Sequence, residues 1–90
     1  MITNDEIKEK FPKAWVLLQA FLINKVADVF STSSLIYFLD THKLFIGITT
    51  DSGEDYIIEL NGIIVNALGS RLEAEDFALR QMFSILEREL

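Results

Sequence analysis

The final 21 residues, SRLEAEDFALRQMFSILEREL, restrict what this chain can fold into more than any other segment. Ser70 is followed three positions later by Glu73, the spacing of a capping box that satisfies two orphan backbone donors at a helix start. At ~100° per residue, Ala74, Ala78, Met82, Ile85 and Leu86 share a side, with Leu79, Phe83 and Leu90 at its edge. The pattern predicts one long amphipathic helix over residues 70–90. Phe77 lies apart from that stripe, beside Ser84 and Arg88, so the apolar arc is wider than one covering layer requires. A helix of this kind has to bury its stripe against another element, and the preceding residues read as strands.

Residues 35–39 (LIYFL) are aromatic and branched, residues 40–43 (DTHK) are turn-like, and residues 44–50 (LFIGITT) resume a strand pattern, which predicts a hairpin. Gly47 interrupts the second of these strands, as at a bulge or a close approach by a helix. Residues 51–54 (DSGE) supply the next turn. Residues 56–60 and 63–65 flank Asn61-Gly62, the pair best suited to the positive φ angles of a type I′ turn.

At the other end, Thr3 and Glu6 form a second capping box. Pro12 disfavours helical geometry at Phe11 but suits a first helical turn, so a longer helix is expected over residues 12–30, ended by the serine and threonine run at 31–34. Trp15, Leu18, Leu22, Val26, Val29 and Phe30 make its core stripe. Leu17 and Phe21 fall on the far side, among Lys13, Asn24 and Asp28, where they require a second partner. The predicted architecture is α+β: a single layer of helices on one antiparallel meander, in the order α-β-β-β-β-α, with three strands if the last is irregular. Ninety residues without a Pro/Gly-rich linker or an internal repeat make one domain, 1–90.

Composition excludes more than it assigns. Half of the residues are hydrophobic, so the chain can offset its chain entropy and is not disordered as a whole. A formal charge of −6 with no basic cluster argues against binding a phosphate backbone, and no nucleic-acid partner is expected. The longest apolar stretch, residues 14–23, is about half the ~20 residues a bilayer span needs, and the acidic start is unlike a secretory signal. A soluble cytoplasmic protein without a membrane partner is the expectation. Without cysteine and with one histidine, the chain lacks thiolate chemistry and the usual zinc ligands; no metal and no cofactor are expected.

Catalytic candidates are few. Asp40 and His42 are a carboxylate and an imidazole two residues apart, which would orient a general base, with Ser33 or Ser34 as a remote nucleophile. Against this, aspartate, threonine and histidine are ordinary turn residues, and no glycine-flanked serine makes a nucleophile elbow. Asp51, Glu54 and Asp55 cluster without the ligand spacing of a calcium loop. The four glycines are isolated, so neither a phosphate-cradling loop nor a dinucleotide fingerprint exists. The balance is against an enzyme.

With Ser70-Arg71-Leu72-Glu73-Ala74-Glu75 as a serine-led helix start behind antiparallel strands, the chain resembles the double-stranded RNA-binding domain in topology. It departs from that family where RNA is gripped: Arg71 is followed by Leu72, Glu73, Glu75 and Asp76 in place of lysines, so the resemblance implies the geometry without the activity. The hairpin FLDTHKLFI (38–46), the helix start SRLEA (70–74) and FSILE (83–87) are similar to small uncharacterised α+β proteins of bacterial phages and mobile elements. That resemblance implies a phage or prophage accessory origin and brings no activity with it.

The resulting expectation is a non-enzymatic interaction module that forms a homodimer or docks on a protein partner through Leu17, Phe21 and Phe77, the apolar residues outside their helices' main stripes. The alternatives are an acidic inhibitor of a nucleic-acid-binding protein and a small hydrolase-like enzyme using Asp40 and His42.

Overall fold

The structure is a computed structural model that describes residues 1–24, 30–51 and 53–90. Its elements are α1 (Asn4–Lys10), α2 (Pro12–Asn24), α3 (Thr32–Thr41), β1 (Ile46–Asp51), β2 (Asp55–Leu60), β3 (Ile63–Leu68) and α4 (Arg71–Glu89). The fold is α+β, with four helices and a three-stranded antiparallel meander among the described residues. No helix of the described residues is long and apolar enough to cross a membrane.

Three helices start on their own hydroxyl caps. Thr3 accepts from the Glu6 amide, Ser31 from the Ser34 amide and Ser70 from the Glu73 amide, each at 3.1 Å. α2 opens on Pro12, and its next two amides are capped from far along the chain. The Glu87 carboxylate of α4 accepts from the backbone amides of Lys13 (3.2 Å) and Ala14 (2.8 Å), a charged acceptor at the positive end of the helix dipole. The break at Phe11 and Pro12 lies where the sequence places it. The longer helix is described as far as Asn24, and its expected continuation through Val26 and Val29 falls on residues outside the described ones.

The first expected strand is corrected. Residues 35–39 belong to α3, and the hydroxyl run at 31–34 is the start of this helix, with Ser31 as its cap. Leu35, Phe38 and Leu39 stand at i, i+3 and i+4 and are all buried, so burying one helical face won over the β-propensity of an aromatic and branched pentapeptide. The meander accordingly has three strands, and the order is α-α-α-β-β-β-α.

The 40–43 turn is a helix ending. The Lys43 amide donates to the Asp40 carbonyl (2.9 Å) and the Leu44 amide to the Leu39 carbonyl (3.0 Å), with Lys43 at φ 61°. This is the Schellman pattern, completed by burial of both Leu39 and Leu44, although the left-handed position carries a lysine where glycine is usual.

Asn61 (φ 52°) and Gly62 (φ 84°) make the expected two-residue turn, with Leu60 opposite Ile63. Asn61 also ties the start of the sheet. Its Oδ1 accepts from the Phe45 amide at 2.7 Å, and its own amide donates to the Phe45 carbonyl at 2.9 Å. The bulge is not at Gly47. It lies between β2 and β3, where Ile58 faces Asn66 and Glu59 faces Ile64, leaving Val65 as the extra residue. Gly47 pairs with Glu59, and an added Cβ would make ordinary contact with that side chain at 3.7 Å.

α4 lies between two apolar clusters. Toward the sheet, Ala74 and Ala78 are buried against Ile58, with Ile46, Ile48, Tyr56, Leu60, Leu68 and Phe77 around them. Toward the other helices, Leu79, Met82, Phe83 and Leu86 pack with Ile2, Ile7, Ala14, Leu18, Leu35, Phe38, Leu39 and Leu44. Most of the terminal helix's apolar arc is thus covered within the chain, with Phe77 and Ile85 half-buried and Leu90 exposed.

Candidate interaction surface

Each sequence-predicted site residue has a definite place. Asp40 is exposed in the last turn of α3, and His42, the residue after that helix, is half-buried with its ring edge against Phe38 at 4.9 Å between centroids. The His42 amide donates to the Asp40 carbonyl in the helix ending, but among the described residues no hydrogen bond joins the Asp40 carboxylate to the His42 ring. Ser33 and Ser34 occupy the opposite end of the same helix, roughly 12 Å away at ~1.5 Å of rise per residue. Ser34 is engaged with the Ser31 cap, at 3.0 Å between hydroxyl oxygens. A nucleophile and its base cannot act across that length, so the geometry does not assemble the catalytic group. Glu54 and Asp55 are exposed, and no cluster able to hold a metal ion occurs among the described residues.

Leu17, Phe21 and Phe77 find partners inside the chain. Phe21 packs edge-on against Tyr37 and Phe38, both at 5.5 Å, and Leu17 lies against the same cluster. Phe77 packs on the sheet-side cluster. All three are half-buried. The neighbour of Phe21 is α3, a helix absent from the expected fold, whereas Phe77 shares the sheet-side cluster of Ala74 and Ala78.

Polar side chains on one flank of α4 are engaged in holding the N-terminal helices. Arg80 donates to Asp76 at 2.8 Å and also binds Glu6 of α1, which in turn accepts from Lys10 at 3.2 Å. Asp76, Arg80 and Glu87 follow at i, i+4 and i+11, so they line one side of α4, and Glu87 is the cap of α2 described above. Asn4 accepts from both Trp15 Nε1 and Gln19, each at 3.1 Å, and Lys8 lies 5.1 Å from the Trp15 ring centre. Asp76 and Arg80 stand at ion-pair spacing in the sequence; nothing local signals that Glu87 reaches an amide 73 residues away.

Exposed apolar side chains occur along α2 and α3, at Leu72, and at one end of the sheet. Ile63 and Ile64 are 67% and 64% exposed, Phe45 is 52% exposed, and Val65 is exposed beside them at the bulge. Asn61 brings Phe45 next to the β2–β3 turn, 16 positions away in sequence. Alternation along β1 puts Phe45 on the same side as Gly47, and the register carries that row through Glu59 to Ile64. This is the face turned away from α4. Nothing in residues 45 and 63–65 themselves marks a side chain as exposed; only the register shows which side of the sheet is covered. Comparison with known proteins finds no matching family model, curated protein or solved structure.

Proposed function

We propose that this chain is a non-enzymatic protein-interaction module, which docks on a second copy of itself or on another protein through the end of its sheet. The observation that carries this is the exposure of Phe45 and Ile64 on the sheet face turned away from α4, with Val65 exposed at the bulge beside Ile64. Aromatic and branched side chains held on a sheet lose little conformational freedom on binding, which is what an anchor needs. Side-chain docking is favoured over addition of a strand to the β3 edge. The Val65 bulge disrupts that edge, and the Asn66 side chain accepts from the Ala67 amide at 2.8 Å, occupying a donor that an added strand would use.

The test pairs Ile64→Lys with Phe45→Ser in the full chain. Sedimentation across a wide concentration range and a pull-down from the native host are read side by side for the parent and both variants. A self-association or a captured protein weakened at least tenfold by both changes, about 1.4 kcal/mol, supports the reading. A parent that stays monomeric, with every captured protein indifferent to both variants, overturns it.

A further inference from the structure

We draw no further inference here: the strongest candidate, the exposed apolar stripe of Val16, Ala20 and Ile23 along α2, is an unpartnered helix face, and nothing in the structure shows what covers it.

Discussion

The two sides of α4 are built on different principles. Its helical side offers large residues, Leu79, Met82, Phe83 and Leu86, to a cluster that includes Phe38 and Leu39. Its sheet side offers two alanines, Ala74 and Ala78, to Ile58. Large groups interlock and bury much area, whereas alanines let the sheet backbone come close but contribute little area of their own. One consequence is mechanical: the helical side holds the chain together, and the sheet is a thin layer with one face covered. Another concerns exposure, since the uncovered face is where Phe45 and Ile64 meet solvent. If the open face is the docking surface we propose, stability and recognition are separated, and a change on one side of α4 should leave the other largely intact.

Phe83→Ala gives the largest effect. Phe83 is fully buried, stacked on Phe38 at 5.9 Å and against Phe11 at 6.0 Å. Its truncation should cost about 3–5 kcal/mol in chemical denaturation, a loss that threatens folding in a domain of this size. A loss under ~1 kcal/mol would break the claim that the helical side dominates. Next comes Ala78→Leu on the sheet side. The enlarged side chain has to push Ile58 and its strand outward, costing about 1–3 kcal/mol, with hydrogen-exchange protection falling first in β1–β3 and last in α2 and α3. Equal loss everywhere would show that the two sides are one cooperative unit.

The same contrast accounts for what could be read beforehand. The three hydroxyl-capped helix starts, at Thr3, Ser31 and Ser70, rest on side-chain to backbone bonds spanning three residues. Thr3 and Ser70 are legible because a glutamate follows at the capping-box position; Ser31 lacks one, and its hydroxyl-rich run reads equally well as a helix end. The Asn61-Gly62 turn was legible because positive φ restricts residue choice. LIYFL was not, since a five-residue apolar run satisfies either period and the decision comes from α4, some 40 residues away. The exposed sheet face was not legible for a related reason. Exposure of Ile64 depends on strand register and on which face α4 takes, and neither is local.

Glu87→Ala tests the long-range link on the helical side. Losing the carboxylate leaves the Lys13 and Ala14 amides without their acceptor, which should cost about 1 kcal/mol, the usual worth of an N-cap. Faster exchange confined to the first turn of α2 would identify the cap as the cause. Lys43→Gly acts in the opposite direction at the junction between the helical and sheet halves. Relief of the left-handed lysine outweighs the added freedom of the unfolded chain, for a gain of about 0.5–1 kcal/mol in the denaturation midpoint. Destabilisation there would mean that the lysine side chain makes a contact worth more than its backbone strain.

Ile64→Lys should have the smallest effect on stability and is the sharpest test of the separation. The side chain is 64% exposed and faces away from α4, so little area is lost and no buried group is left without a partner. A lysine also suits a sheet edge, where charge discourages unwanted pairing, and Glu59 in register with position 64 offers it an opposite charge across the strand pair. The denaturation midpoint should therefore shift by no more than about 0.5 kcal/mol, while any association through this surface falls at least tenfold, because a desolvated ammonium would have to enter an apolar contact. If the variant instead unfolds as readily as Ala78→Leu, Ile64 is part of the sheet's packing. The open face would then be a structural element, and the division of labour across α4 would fail at the residue chosen to demonstrate it.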